Sequence, residues 1–228
     1  IMKKISLLFF VSILSISAFA QTKTDYNKAA DSDPKAKAIL DKVRKKYEGY
    51  KSLEAAFTLE IELPEQPKET QKGKVAREGE KYRVELPSQS VICDGKAIFL
   101  VMTGNKEVQI NNIPEKDEAE AILSPESLFS FYKDGKFAYV LVNEYSQGGK
   151  VVQDIEFKPL EKNFDYTKMR MTVNKATNEV VSVKAFGKDN ARFTISISQF
   201  TPNKTFATNY FAFDKAKYPG YHVEDLRY

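Results

Sequence analysis

The residue types that carry most enzymatic chemistry are scarce in this chain of 228 residues. His222 is the only histidine and Cys93 is the only cysteine. A histidine-based catalytic triad would therefore depend on one residue near the C-terminal end. The sequence contains no G-x-S-x-G nucleophile motif, no Walker A loop, no dinucleotide fingerprint and no cysteine and histidine cluster with metal-site spacing. We expect no catalytic residue, no metal and no cofactor.

The acidic residues leave one enzymatic alternative open. Glu54, Glu60 and Glu62 occupy alternating positions, which is typical of a solvated strand face. A pair of carboxylates that the fold brings together, as in a glycosidase, is the alternative that the sequence leaves open. Cys93 lies in the apolar triplet VIC, and a single cysteine forms no intramolecular disulfide. We interpret it as a small core residue.

The N-terminal residues 1–20 have the pattern of a signal peptide. Lys3 and Lys4 precede an apolar run from Ile5 to Ile16, and an A-x-A cleavage site ends at Ala20. The run is too short to span a bilayer comfortably. We expect export to the periplasm. Loss of the two lysines lowers the net charge from +4 to +2, which gives no reason to expect a nucleic-acid partner.

The mature chain begins with a polar segment and one amphipathic helix. Residues 21–33 have no apolar pattern, and we expect a flexible leader there. Asp33 before Pro34 is a favoured helix start, with the acidic residue as N-cap and proline at the first position. Ala36, Leu40, Val43 and Tyr47 then recur at helical spacing. This pattern predicts a helix whose apolar side faces another surface.

From Leu53 the apolar period changes to two, which indicates β-strands. About eleven or twelve short strands follow in meander order, with a strand predicted also over TNYFAFD, residues 208–214. The segment 117–133 interrupts this rhythm with a helix start at Ser124-Pro125 and strongly aromatic positions after it. We expect one mainly β domain over residues 34–228, a curved antiparallel sheet or barrel with helices.

The apolar side chains of such a sheet allow two interpretations. Thirteen of the 16 phenylalanines follow the signal peptide, and there are 12 tyrosines and no tryptophan. The concave face of a half-closed sheet must be filled. Either a helix fills it as an ordinary core, or it holds a cavity that opens when the helix moves.

Several segments in their order resemble the LolA-type outer-membrane lipoprotein carriers. The segments are LDKVRKKYEGYKSLEAAFTLEI, GKVAREGEKYRVELP, SVICDGKAIFLV, SPESLFSFY and NYFAFDKAKYPGYHVEDLR. Together they extend over residues 36–227, nearly the whole mature chain. The resemblance implies an incomplete antiparallel β-barrel of about 11 strands, with the N-terminal helix and lid helices covering a hydrophobic cavity.

The resemblance also implies roles for individual residues. The residues matched to the acyl-chain cavity are Phe57, Leu59, Tyr82, Val84, Leu86 and Leu100. Those matched to the lid are Pro125, Leu128, Phe129 and Tyr132. Family members often carry a basic residue and a proline in the turn before the cavity strand, and this arginine helps to latch the lid. Here the turn has no proline, and Arg77 is the latch candidate, with an exposed strand-end arginine as the alternative.

The resemblance implies a periplasmic chaperone that is not an enzyme. Its cargo would be acylated lipoproteins, received from an ATP-driven extractor at the inner membrane and delivered to an acceptor at the outer membrane. Two alternatives on the same fold stay open: a carrier of free lipid or glycolipid, and a regulatory domain that senses lipoproteins. We expect a monomer, because no coiled coil or long exposed apolar stripe is evident.

Overall fold

The computed structural model of the chain describes residues 28–114, 132 and 135–227. These residues form one α-helix, two short 3-10 turns and twelve β-strands. The helix α1 spans Pro34–Glu48. The strands are β1 (Ser52–Glu62), β2 (Glu69–Glu78), β3 (Lys81–Glu85), β4 (Gln89–Cys93), β5 (Ile98–Met102), β6 (Glu107–Asn111), β7 (Phe137–Gln147), β8 (Lys150–Pro159), β9 (Tyr166–Asn174), β10 (Val180–Gly187), β11 (Arg192–Pro202) and β12 (His222–Asp225).

All twelve strands belong to one open sheet, in the order β12-β6-β5-β4-β3-β2-β1-β11-β10-β9-β8-β7. The β1–β11 pair joins an arm made of β2–β6 to an arm made of β7–β10. Every pair is antiparallel except β12 with β6. The mainly β fold and the incomplete barrel are confirmed, with β12 as a parallel edge strand. The prediction of a strand over residues 208–214 is wrong, because this stretch forms turns.

Helix α1 begins where the sequence predicts. The Asp33 carboxylate accepts a hydrogen bond from the backbone N–H of Lys35 at 2.8 Å, and Pro34 follows as the first helical residue. The four residues of the helical apolar pattern are all buried: Ala36, Leu40, Val43 and Tyr47. The helix therefore lies with one face on the sheet and carries its lysines on the other side.

Residues 28–33, which we expected within a flexible leader, lie against edge strand β7. The backbone N–H of Asp33 donates to the Tyr139 carbonyl at 2.9 Å, and the N–H of Tyr139 donates to Ser32 Oγ at 3.2 Å. The N–H of Leu141 donates to the Asp33 carboxylate at 3.3 Å. This segment covers part of an otherwise open sheet edge. The predicted helical segment 117–133 lies outside the described residues, apart from Tyr132.

The main core lies between α1 and the concave face of the β7–β11 side of the sheet. Leu40, Val43, Ile155 and Phe157 are at most 1% exposed within it. Each such large side chain contributes about 1.5–3 kcal/mol when fully buried. The apolar core residues of β8 and β9 occupy alternate positions, although Asp154 and Thr172 on the other face are buried as well.

A second core covers the opposite, convex face of β4–β6. There Ile92, Val101 and Val108 are at most 1% exposed. They are covered by residues 204–227, which we call the C-terminal strap. Its Phe213 ring stacks on Phe99 with centroids 4.7 Å apart. The strap explains why the VIC and IFLVM runs are apolar at consecutive positions, since both faces of these strands carry apolar contacts.

In the described part of the chain, no helix combines the length and the hydropathy that crossing a bilayer requires.

Truncation of Phe213 should destabilise the arm that the strap covers. Phe213 stacks on Phe99 and, with centroids 5.5 Å apart, on Tyr218. Phe213→Ala should lower the free energy of unfolding by about 2–3 kcal/mol, because a packed aromatic ring is lost. Urea unfolding followed by circular dichroism measures this loss. Phe193→Ala is the control, since this ring is 40% exposed and its loss should cost less than about 1 kcal/mol. Equal losses for both variants would contradict this role of the strap.

Candidate functional site

Strand register determines which side chains line the concave face. Directly opposite residues in neighbouring strands project to the same face. Phe57, Leu59 and Ile61 of β1 lie on the concave side with Leu53, which belongs to the main core. Their direct partners on β11 are also apolar: Ile197, Ile195 and Phe193. The centre of the sheet therefore presents a continuous apolar surface.

The β2–β6 arm extends this surface. Val75 of β2 lies opposite Ala55 of β1 and opposite Val84 of β3. Val91 of β4 continues the row from Val84 to Leu100 of β5. The predicted cavity residues on these strands are therefore on one face: Tyr82, Val84 and Leu100, with Leu86 following β3 in the same alternation. The register therefore places them on the same face of the sheet as Phe57 and Leu59, and their role as an acyl-chain cavity stays a prediction.

Exposure along β1 shows where this face is filled and where it is open. Leu53 is 2%, Ala55 4% and Phe57 7% exposed, whereas Leu59 and Ile61 are half-buried and Leu63 is 36% exposed. The apolar side chains of β3–β5 on the same face are half-buried too: Tyr82, Val84, Val91, Ile98 and Leu100. The face is packed near the end of α1 and opens toward Leu63. A half-covered apolar surface of this extent is a candidate binding surface.

Phe57 lies across the backbone of β2 at Gly73. The two residues are direct cross-strand partners, and a Cβ on Gly73 would overlap the Phe57 ring and lie 2.9 Å from the Glu85 carbonyl oxygen. Only glycine leaves room for the ring to lie flat here. The ring thereby forms part of the floor of the concave face. Sequence reasoning found Phe57 but not Gly73, because the pairing register is needed to join them.

Arg77, the latch candidate, contacts the end of α1. Its Nη2 donates to the carbonyl oxygens of Tyr50 and Tyr47 at 3.2 and 3.4 Å. The last carbonyls of a helix lack partners within the helix and carry partial negative charge, so a guanidinium stabilises them. Arg77 thus attaches α1 to β2. The lid positions Pro125, Leu128 and Phe129 lie outside the described residues, so the latch to the lid stays a prediction.

Tyr132, the fourth predicted lid residue, lies in the main core at 6% exposure. Its hydroxyl donates to the Leu40 carbonyl of α1 at 3.0 Å. Its ring packs on Tyr139 and Phe157, with centroids 5.8 and 6.1 Å apart. Burial raises the pKa of its hydroxyl. This residue connects the segment before β7 with the helix that covers the sheet.

Two tyrosine hydroxyls on the concave side and the cysteine thiol stay neutral. Burial raises the pKa of Tyr82 to about 12 and, with the same main cause, that of Tyr47 to about 12. Tyr47 accepts a hydrogen bond from the backbone N–H of Val180 at 3.1 Å. Cys93 is 1% exposed, and burial raises the pKa of its thiol. A buried and protonated thiol agrees with our interpretation of Cys93 as a core residue.

Histidine, cysteine, aspartate and glutamate side chains are the groups that could bind a metal ion. Within residues 28–114, 132 and 135–227, no group of three histidine, cysteine, aspartate or glutamate side chains is arranged to hold a metal ion. The concave face is mainly hydrocarbon along β1 and β3–β5, and its polar residues lie on β2 and β6: Glu69, Gln71, Arg77, Gln109 and Asn111. Such a surface suits an apolar ligand held by burial.

Introducing a methyl group at Gly73 tests the packing of Phe57. Gly73→Ala should lower the free energy of unfolding by about 1–3 kcal/mol, because the methyl group overpacks against the ring. In a Phe57→Leu background the same change should cost about 1 kcal/mol less, since the clashing ring is gone. Urea unfolding of the four proteins gives this double-mutant cycle. Additive losses would show that the ring does not lie over Gly73.

Removing the Arg77 guanidinium tests the attachment of α1. Arg77→Met keeps the aliphatic stem and should lower the free energy of unfolding by about 1–2 kcal/mol, because the carbonyls of Tyr47 in the last turn of α1 and of Tyr50 just after it lose a charged donor. Lys74→Met on the same strand is the control. Its side chain is 48% exposed, with the ammonium 3.8 Å from Glu54, and its loss should change stability by less than about 0.5 kcal/mol. Similar thermal and urea stabilities for the two variants would contradict the role of Arg77.

Known structures resemble this fold. An uncharacterized conserved protein from Thermus thermophilus superposes with a TM-score of 0.55 at 11% identity, covering 84% of this chain and 99% of that one. A LolA superfamily protein from Nitrosomonas europaea gives a TM-score of 0.40 at 12% identity, with coverage of 78% and 98%. LprF from Mycobacterium bovis gives 0.48 at 12% identity, with coverage of 77% and 96%. No curated protein sequence matches the chain.

A family model, described as the outer membrane lipoprotein carrier protein LolA, matches residues 48–214. The match includes every strand from β1 to β11, and hence both arms of the concave face. The match covers most of the chain and agrees with the open twelve-stranded sheet. The chain therefore belongs to the LolA family of outer membrane lipoprotein carrier proteins.

Proposed function

We propose that this protein is a periplasmic chaperone that binds the acyl chains of lipoproteins and carries them from the inner to the outer membrane. The observation that supports the proposal is the continuous apolar concave face from Phe57 and Leu59 to Val84 and Leu100, which is half-buried. Family membership supports lipoproteins as the class of cargo. The signal peptide predicted over residues 1–20 supports the periplasm as the compartment.

The physical need for such a carrier follows from the hydrophobic effect. Each methylene exposed to water costs about 0.8 kcal/mol, so a chain of roughly 14 methylenes costs about 11 kcal/mol. An acylated protein therefore needs a comparable apolar surface while it crosses an aqueous compartment. The half-buried residues around Leu59 and Val84 offer such a surface without a nucleophile or metal.

Release of the cargo needs a competing closed state. When the carrier is empty, contacts of its own covering elements with the concave face compete with the ligand for the same surface. We propose that the lid residues Pro125, Leu128, Phe129 and Tyr132 take part in this competition. Arg77 would add a polar attachment at the end of α1, where it bonds to Tyr47 and Tyr50.

The partners in this proposal are two membrane complexes. An ATP-driven extractor at the inner membrane would load the acyl chains, and an acceptor at the outer membrane would receive them. An apolar face does not distinguish a lipoprotein from a free lipid or glycolipid, because both present the same hydrocarbon. These alternatives, with lipoprotein sensing, are therefore outcomes of the experiment below.

A charge placed in the concave face should abolish loading. Tyr82→Glu should lower acyl loading at least about tenfold, because a carboxylate on this half-buried face must lose its water when an acyl chain packs on it. Tyr82→Phe should load normally, and so should Lys72→Glu, whose exposed side chain is on the convex face of β2. The assay mixes purified mature protein with spheroplasts that hold a labelled lipoprotein, and then measures the soluble complex in the supernatant.

The outcomes separate the alternatives. Release by the unmutated protein and not by a folded Tyr82→Glu variant would support lipoprotein carriage through this face. Normal release by folded Tyr82→Glu would overturn the assignment of the face. No release with a competent extractor present, together with lipid extractable from the purified protein, would favour a free-lipid carrier. A membrane protein that co-purifies instead would favour the sensor.

A further inference from the structure

A polar side chain interrupts the apolar concave face at the point where the face begins to open. Gln71 of β2 lies directly opposite Leu59 of β1, and two residues further along the same strand is Gly73, which the Phe57 ring covers. Gln71 and Leu59 are both half-buried. The side chains of direct cross-strand partners are about 5 Å apart. An acyl chain that packs on Leu59 therefore comes within reach of the Gln71 amide.

The Gln71 amide is held in one orientation and has an unpaired oxygen. Its Nε2 donates to Glu69 Oε1 at 2.6 Å. A carboxylate only accepts hydrogen bonds, so Glu69 keeps Nε2 on its side and turns Oε1 away. Among the described residues Oε1 is excluded from water and has no hydrogen-bond partner. Such an oxygen is unfavourable in a folded protein, and a donor brought to it would be bound.

The location of this oxygen distinguishes it from the other unpaired buried polar atoms of the described residues. Arg83, Arg170 and Thr194 each have one such atom on the convex face. The two arginines also donate to carboxylates through their other nitrogens. The Tyr166 hydroxyl belongs to a ring that packs against the main core. In this part of the chain, Gln71 Oε1 is thus the unpaired acceptor beside the open part of the concave face.

We propose that Gln71 Oε1 accepts a hydrogen bond from the polar head of the bound acyl chain, so that the carrier selects ligands with a neutral donor there. The donor is an amide N–H or a hydroxyl. Because the face is packed near α1 and opens toward Leu63, the tail of the ligand lies toward Val84 and its head lies toward Gln71. Glu69 acts as a positioning residue. The inference rests on the proposed function, which supplies the acyl chain.

Two classes of ligand have this chemistry. An acyl chain joined to the N-terminus of a protein has an amide N–H at its head, and a glycolipid or a monoacylglycerol has hydroxyls. The carboxylate of a free fatty acid offers only acceptors. It would leave Gln71 Oε1 unpaired and would lie beside the carboxylate of Glu69. The site therefore disfavours free fatty acids.

Three neutral probes with the same fluorescent acyl chain test the proposal. The methyl ester has no donor, the N-methyl amide has one N–H, and the monoacylglycerol has hydroxyls. Each probe is titrated into purified mature protein, and its preference is the Kd of the ester divided by its own Kd. Gln71→Met should lower the preference for at least one donor probe about fivefold, because one hydrogen bond is lost. The ester should bind as tightly or more tightly, since it no longer buries an unpaired oxygen.

Gln109 of β6 provides the matched control. It lies on the concave face opposite Leu100 and is half-buried. Its Nε2 donates to Glu107 Oε1 at 2.8 Å, as Gln71 does to Glu69. Gln109→Met should leave both preferences unchanged within about twofold. Equal losses in the two variants would overturn the proposal, because a general change in the polarity of the face would then explain them.

The pattern across the probes separates the sources of the donor and the two levels of inference. A loss confined to the amide would support an N-acylated protein, and a loss confined to the monoacylglycerol would support a hydroxyl-bearing lipid. Tight binding of all probes with unchanged preferences in Gln71→Met would overturn the role of Gln71 and leave the carrier function in place. Binding of no probe by the folded protein would overturn the carrier function and this inference with it.

Discussion

The pairing of β1 with β11 is the interaction on which the rest of this structure depends. It joins an arm built from residues early in the chain to an arm built from residues late in the chain. The register of this pair sets Phe57, Leu59 and Ile61 beside the apolar residues of β11 on the concave side. A slip by one residue would turn these side chains to the convex face and bring Glu60 and Glu62 inside. The apolar surface exists because this register is kept.

Helix α1 and the C-terminal strap cover different parts of the sheet. On the concave side, α1 is attached at its start by Asp33 to β7 and at its end by Arg77 to β2, so it packs on the β7–β11 side. On the convex side, the C-terminal strap covers β4–β6 through Phe213 and adds β12 to the edge strand β6. The concave side of β3–β5 is left half-covered. Both of these covers, among the described residues, lie elsewhere, and this apolar surface is the one that we propose a ligand occupies.

The proposed chemistry is one of burial rather than of bond making. An acyl chain gains about 0.8 kcal/mol for each methylene that leaves water, and the concave face supplies hydrocarbon contacts for it without directional groups. Charge enters at the edge of this surface, where Arg77 donates to carbonyls at the end of α1. The apolar surface would hold the ligand, and Arg77 would hold the helix beside it.

The sequence by itself determined the element types, because they follow from local patterns. The period of 3.6 over Ala36–Tyr47 gave the helix, and Asp33 before Pro34 gave its start. The period of two placed most strands. The family resemblance predicted one cavity for Phe57, Tyr82 and Val84, and the register places these residues on one face. The segment 208–214 misled us, since its apolar residues serve the strap and not a strand. Only the tertiary structure decided that Gly73 accommodates Phe57, that Arg77 contacts the end of α1, and that Phe213 of the strap stacks on Phe99. These contacts join residues that are distant in sequence, and pairing register, which no local period encodes, sets which of them meet.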